Sequence, residues 1–365
     1  MQKIKDITSY LESIAPLSYQ ESYDNSGLIT GNPNDEVKGI LISLDCTEDV
    51  VEEAINKNCN FIIAHHPIVF SGLKRFTGSN YVERTVIKAI KNDIAIYAIH
   101  TNLDNIISGV SRKIADKLKL VNPKILSPKT ELLQKLVVFV PQNHSNKVKQ
   151  ALYDAGAGNI GNYSNCSFSV SGTGTFKPND KANPFIGSAE VEENVNEDRI
   201  EVVFPSHIQH KIISALNQSH PYEEVAHYIT TLQNYNQEVG SGIVAELEKP
   251  MNNEAFLKYL KDKMNLNVIR HTTTSNNTVK TIAICGGAGS FLLSNAKRAK
   301  ADVFITADFK YHEFFDAENE LMICDIGHYE SEVFTKDLIY DILIKKFTTF
   351  ALCLSEVNTN PISYF

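Results

Sequence analysis

Residues Asn60–Pro67 read Asn-Phe-Ile-Ile-Ala-His-His-Pro, an unbroken apolar run that ends abruptly on two imidazoles. Apolar residues without alternation, bounded by turn-forming ones, fit a strand buried on both faces. Val37–Asp45 and Ile94–His100 have the same character, and Thr47–Asn58 and Tyr81–Asn92 between the three runs read as helices. Strands alternating with helices of this length predict a parallel or mostly parallel sheet. The pattern returns late, with strands at Thr281–Cys285, Asp302–Thr306 and Leu321–Asp325 and helices near Ser290–Lys300 and Glu330–Lys346.

The middle of the chain has another rhythm. Lys135–Pro141 (KLVVFVP) and Ile200–Pro205 (IEVVFP) are strands, each followed by a helical segment, and look like two copies of one unit. Between them the Gly/Ser/Asn-rich stretch Gly156–Pro178 has strand character around Cys166–Val170, and Glu224–Leu232 reads as a further strand. This order predicts a ferredoxin-like βαββαβ module. The expected fold is α/β: a core domain built from residues 1–129 and 239–365, with the module inserted at 130–238.

Composition narrows the functional classes. The 365 residues are 43% hydrophobic and 21% charged, with a formal net charge of -8. A mildly acidic chain is not drawn to phosphate backbones by its overall field, which argues against nucleic acid as a partner. Met1–Tyr19 has no continuous apolar core of a signal peptide; Ile4, Ile7, Leu11 and Ile14 recur at helical spacing and predict an amphipathic first helix. No apolar run approaches the roughly 20 residues needed to span a bilayer. Six scattered cysteines form no Cys-x-x-Cys pair, which fits neither a zinc ribbon nor a disulfide framework and suits a reducing cytoplasm.

Ligands of open α/β sheets sit outside the carboxyl ends of the strands. Those ends carry Asp45, His65-His66, His100 with Asp104, Gly286–Gly289, Asp308, and Asp325 with His328. Neighbouring side chains on a strand point to opposite faces, so His65 and His66 share a site only if the strand has already ended. His328 and Glu332, four apart at a helix start, lie on one face. Singly, each piece has a plainer reading: one packed and one solvated imidazole, a helix-surface hydrogen bond, an Asp104 that caps a helix. Together, three imidazoles and two carboxylates suit zinc, manganese, iron or cobalt better than calcium or magnesium. His100, Asp308 and His312 are candidates for proton transfer or for orienting ligands and substrate, weighed equally against structural roles. His207, His210, His220 and His227 are assigned to solvated positions and helix faces.

On these residues the chain resembles the dinuclear-metal-centre family of GTP cyclohydrolase 1 type 2 homologues, also named after an NGG-interacting factor. The carrying motifs are Glu21–Leu28, Ala64–Pro67, His100–Asp104, Cys285–Gly289, Thr306–His312 and Asp325–Glu332. Tyr23 stands where many members carry Trp, and Ala307 where Gly is common. The resemblance implies two divalent ions per chain, zinc first. Its ligands match His65, His66, Asp104, His328 and Glu332, with Glu332 bridging, His66 and Asp104 on one ion, and His65 and His328 on the other. It further implies a homohexamer built as a trimer of dimers and a PII- or CutA-like insertion. The expected function is a metal-dependent hydrolase of a small nucleotide or phosphate-bearing substrate. The alternative is a metal-binding regulator or adaptor without enzymatic activity, the insertion serving as sensor.

Overall fold

The computed structural model describes residues 2–365. Phe61–Ala64, fully buried, is the centre of a five-stranded sheet ordered Gly27–Thr30, Ala95–Ala98, Phe61–Ala64, Gly39–Ser43, Ala351–Leu354. Parallel ladders register Ile40 with Phe61 and Phe61 with Ala95. Gly27–Thr30 is antiparallel to its neighbour, and Ala351–Leu354 runs parallel to Gly39–Ser43. Helices Glu48–Asn56 and Tyr81–Lys91 make the crossovers, capped by Thr47 and Asn80, whose side chains accept from Val50 and Glu83 backbone amides. Val50, Val51, Ala54, Val86 and Ala89 bury their apolar faces against Leu41, Ile62 and Ile96.

A second sheet of six strands is ordered Arg270–His271, Met322–Asp325, Val303–Ala307, Val279–Ala288, Asn236–Met251, Val121–Lys129. Val279–Ala288, Val303–Ala307 and Met322–Asp325 are parallel; the long Asn236–Met251 strand is antiparallel to them. Two sheets thus form where the alternation of elements predicted one, the first mostly parallel and the second parallel across its three central strands. Hydrophobic periodicity identifies a strand but not its partners. The edge strands Gly27–Thr30, Val121–Lys129, Arg270–His271 and Ala351–Leu354 escaped the sequence reading because each is short or partly exposed.

The helix expected over Glu330–Lys346 is two helices, His328–Glu332 and Thr335–Ile344. The Ser331 hydroxyl donates to the His328 carbonyl, a local bond that competes with the helical ladder. No helix of the described residues is long and apolar enough to cross a membrane.

The chain divides into two compact units: residues up to Pro128 with Gln237–Phe365, and Lys129–Asn236. The smaller unit is a four-stranded antiparallel sheet ordered Phe168–Phe176, Glu193–Pro205, Leu133–Pro141, His227–Leu232. Leu136, Val138, Ile200, Val202 and Phe204 alternate along its central strands and pack under Val148, Leu152, Ile212 and Leu216 of the helices Ser145–Asp154 and Gln209–Ser219. His220, expected on a solvated face, is buried with its Nε2 bonded to the Phe139 carbonyl at 3.0 Å. Cys46, Cys59, Cys285 and Cys324 are buried free thiols.

Candidate metal centre

The strand Phe61–Ala64 stops one residue before the histidine pair, so alternation no longer governs where the two rings point. The backbone is nevertheless held, His65 N–H donating to Ser43 O and His66 N–H to Leu44 O. His65 is wholly buried, and its Nδ1 donates to the Ile99 carbonyl at 2.7 Å, leaving Nε2 as the free nitrogen. His66 binds Asp45 Oδ1 through Nδ1 (2.7 Å) and Glu332 Oε2 through Nε2 (2.8 Å). The ring centroids of the pair are 4.9 Å apart.

The other half of the group comes from the second sheet. Gly327, at φ 92, lets the chain turn from Met322–Asp325 into the short helix His328–Glu332. His328 Nδ1 donates to Asp308 Oδ2 at 2.7 Å, and its Nε2 lies 3.0 Å from Glu332 Oε2. Asp308 takes φ 58, a left-handed conformation unusual for a side-chain-bearing residue, directly after Val303–Ala307. Gly287, at φ 62, leaves room for the carboxylate: a Cβ there would stand 2.4 Å from Glu332 Oε1. Its N–H donates to Ser331 Oγ, which fixes the helix one residue before Glu332.

Asp104 ends the turn Thr101–Asp104, whose Leu103 and Asp104 amides both donate to the His100 carbonyl. Its Oδ1 lies 3.6 Å from His65 Nε2, and His65 Nε2 lies 3.9 Å from Glu332 Oε1. Both Asp104 Oδ1 and His65 Nε2 are buried without a hydrogen-bond partner. Buried polar atoms left unpaired are costly, and two facing each other fit a cation between them. Ligand atoms of His65, His66 and Glu332 all fall within 4.8 Å of one another. These contacts group His66 with His328 at Glu332 Oε2, and His65 with Asp104 toward Oε1. That partition differs from the one the resemblance implies.

Charge follows the same division. Burial pushes the His65 imidazole down to about 3, so it stays neutral. Burial opposes protonation of His66 and His328 too. The carboxylates of Asp45 and Glu332 nevertheless lift His66 to about 9, and those of Asp308 and Glu332 lift His328 to about 11. Glu332 is fully buried, yet His328 and His66 hold it well below the usual carboxylate range. Asp104 moves the opposite way, raised by burial and by the Glu332 charge. The site therefore concentrates negative charge on the one carboxylate that touches most of the imidazoles.

His100 completes the ring, 5.3 Å from both His65 and His66 by centroid. Its Nδ1 donates to Asp24 Oδ1 at 2.7 Å, and Asp24 Oδ2 accepts from the Thr101 amide and hydroxyl. The anchoring role of Asp24 was missed; its only signal was its place in the Glu21–Leu28 run. Thr359, whose hydroxyl donates to Asp45 Oδ2, was missed for want of any local pattern. His312 is not brought to the group. It is exposed on the 3₁₀ turn Tyr311–Ala317, with its ring 5.2 Å from Tyr311 and 6.4 Å from Phe315. The i, i+4 spacing that joined it to Asp308 requires a helix, and Asp308 lies before the turn in a left-handed conformation.

The group lies in a cleft of about 400 Å³ lined by His66, His100, Asp104, His328 and Glu332, with Tyr23, Phe70 and Phe291 also at its walls. The family model described as Duf34/NIF3 (NGG1p interacting factor 3) matches residues 2–361. This chain belongs to the Duf34/NIF3 family. A GTP cyclohydrolase 1 type 2 homolog of Bacillus subtilis (strain 168) is 39% identical over 99% of this chain and 98% of the relative. Among solved structures, a Bacillus cereus protein related to NIF3 superposes with TM-score 0.87 at 37% identity, covering 100% and 99% of the two chains. Staphylococcus aureus protein SA1388 gives 0.79 at 30% identity, with the same coverage. The Duf34/NIF3 match spans both units, since it begins before the first helix and ends beyond Ala351–Leu354.

Proposed function

We propose that this Duf34/NIF3 protein is a hydrolase dependent on two divalent metal ions, acting on a small nucleotide or phosphate-bearing substrate. One observation carries the reading: His65, His66, His328, Asp104 and Glu332 converge with their outer ring nitrogens already anchored, while His65 Nε2 and Asp104 Oδ1 face each other unpaired. Ligating histidines commonly have the second ring nitrogen held by a carboxylate or carbonyl, which fixes the tautomer and ring direction. Here Ile99, Asp45 and Asp308 do this. Zinc fits the mixture of nitrogen and oxygen donors first; manganese, iron and cobalt follow. Bound there, such ions supply Lewis acidity toward water and a substrate oxygen.

The remaining roles fall to the chain's own residues. His100, fixed by Asp24, keeps Nε2 free to take or return a proton in the cleft. Asp308 holds His328 and so orients the helix that carries Glu332. Tyr23, Phe70 and Phe291 are 62%, 49% and 65% exposed beside the group, a set of rings against which a purine could stack. The name GTP cyclohydrolase 1 type 2 homolog borne by the Bacillus subtilis relative supports guanine-ring opening as the first reaction to try. We also read Lys129–Asn236 as a ferredoxin-like insertion, supported by its strand–helix–strand–strand–helix–strand order and antiparallel pairing.

The test loads the full chain with Zn²⁺ or Mn²⁺, counts bound metal by elemental analysis, and assays GTP for formate release and a panel of phosphoesters for phosphate. The expected result is two ions per chain and metal-dependent turnover of at least one substrate. A chain that retains no metal overturns the reading. Metal without any turnover leaves a binding protein and removes the hydrolase.

A further inference from the structure

Lys129–Asn236 has a cavity of about 610 Å³, larger than the cleft beside Glu332 and lined by different residue types. Its floor is the sheet face turned away from the two helices. Cross-strand register puts Val170 opposite Arg199, Gly172 opposite Glu197, and Phe139 opposite Arg199. Directly opposite residues share a face, so these side chains look into one space. Gly172 and Gly174 add no side chain to that floor. The Glu197 carboxylate lies over the second of them, where a Cβ would stand 2.1 Å from Oε2.

Glu197 is only 8% exposed, and no ion pair among the described residues engages it. A carboxylate withdrawn from water without a cation is an unsettled charge. Around it the walls are aromatic. Phe139 and Tyr228 meet edge to face at 6.0 Å, Phe176 and Tyr222 at 5.8 Å, and Phe185 reaches Tyr222 at 6.3 Å. The Tyr222 hydroxyl, shielded from solvent, faces the Glu197 carboxylate as a neutral donor and leaves the charge there without a cation. The basic residues that line the cavity are engaged by other acids: Arg199 Nη2 lies 2.7 Å from Glu201 and Lys177 Nζ 3.0 Å from Glu190. Glu223 and Glu224 add negative charge to the lining.

We propose that this cavity binds a small organic cation, an amine or guanidine on an apolar or aromatic body, with its charge on Glu197 and its body against the rings of Phe139, Phe176, Phe185, Tyr222 and Tyr228. A cation over aromatic faces gains from their quadrupoles, and a charge-assisted hydrogen bond to a desolvated carboxylate adds to it. A bare divalent ion is the poorer match, since calcium and magnesium want several oxygen ligands and the floor offers one carboxylate. An anion meets Glu197, Glu223 and Glu224 with no uncommitted base to receive it.

The experiment is isothermal titration of the full chain with three probes of one shape: 2-phenylethylammonium, 2-phenylethanol and phenylacetate. Saturable binding of the ammonium probe is expected, with the alcohol at least about tenfold weaker and phenylacetate weakest. Glu197→Gln should weaken the ammonium probe by about tenfold while leaving the alcohol unchanged. Phe185→Ala, at a wall residue 54% exposed, should weaken both by a few-fold. The proposal is overturned by absence of saturable ammonium binding, by alcohol or phenylacetate binding as tightly, or by an undiminished Glu197→Gln. Should Glu197→Gln fail to fold, Phe185→Ala decides, and unchanged ammonium affinity in that variant overturns the proposal as well.

Discussion

Phe61–Ala64 delivers His65 and His66 directly from its last residue, with both amides bonded back to the neighbouring strand. Val279–Ala288, Val303–Ala307 and Met322–Asp325 reach the same place less directly. They use left-handed backbone at Gly287, Asp308 and Gly327 and one turn of helix to present His328 and Glu332. The first sheet positions its ligands through ordinary strand geometry. The second positions its ligands through positive-φ backbone, open to glycine at 287 and 327 but strained at Asp308, where the surroundings must hold it. Variants on the second side should therefore cost more in fold and binding together, and variants on the first should separate the two.

The largest effect is expected where the sides meet. Glu332→Ala removes the only carboxylate among the described residues that contacts both His66 and His328 and faces His65. Metal content of the loaded chain should fall from two ions to none measurable by elemental analysis, and with it any metal-dependent turnover. A variant that still holds two ions would show that each sheet binds its own ion without the bridge. Gly287→Ala comes next. It places a side chain at φ 62 and 2.4 Å from Glu332 Oε1, so strain of about 1–3 kcal/mol should appear in urea unfolding together with weakened metal binding.

Asp308 and Asp45 sharpen the contrast because each anchors one imidazole through Nδ1. Asp45→Ala and Asp308→Ala should each weaken metal binding by about 10–100-fold. Only at 308 is the backbone left-handed, so Asp308→Gly should unfold at higher urea than Asp308→Ala, by roughly 1–2 kcal/mol, while losing the same metal affinity. Equal stability of the two 308 variants would remove backbone strain from the comparison.

Much of the first side was legible in the sequence, and less of the second. An unbroken apolar run ending on His65-His66 announces a buried strand and what it carries, because strand and ligand are adjacent in sequence. His328 and Glu332 were legible by helical spacing. The residues that make room for them were not, since a glycine's motif says nothing of which side chain it faces; Gly287 read only as part of a glycine-rich turn. His312 shows the converse failure: spacing suggested a helical pair where the chain forms a left-handed residue and a 3₁₀ turn. Anchors such as Asp24 and Thr359 act across 76 and 314 positions of sequence, beyond the reach of any local pattern.

Asp24 gives a pH test confined to the first side. Burial raises its carboxyl, but hydrogen bonds from His100 and Thr101 and the His100 charge outweigh this and hold it far below the usual carboxylate range. A depressed native value means the contribution is complete above the unfolded value near ~3.9 and fades as pH falls below it. Asp24→Asn should therefore lose stability at neutral pH and show a flatter decline than the native chain between about pH 5 and pH 3, read from urea midpoints. Parallel declines would place the acid sensitivity elsewhere.

The smallest effect is expected at the C-terminal tail, which ties into the first side beyond Ala351–Leu354. Ser355 and Glu356 bond to Glu53, and the Thr359 hydroxyl donates to Asp45 Oδ2 while Asp45 Oδ1 holds His66; Asn360 Nδ2 reaches instead to Glu330, in the helix of the second side. Thr359 touches no proposed ligand and acts only by fixing the carboxylate that fixes the ring. Thr359→Ala should cost about 0.5–1.5 kcal/mol, and because Asp45 keeps its bond to His66 the loss in metal affinity should be a few-fold. Thr359→Ser restores the donor without the methyl group and should recover the affinity. If Ser recovers nothing, the tail acts through packing, and the strand-tip side of the site is held by the five-stranded sheet without help from the chain end.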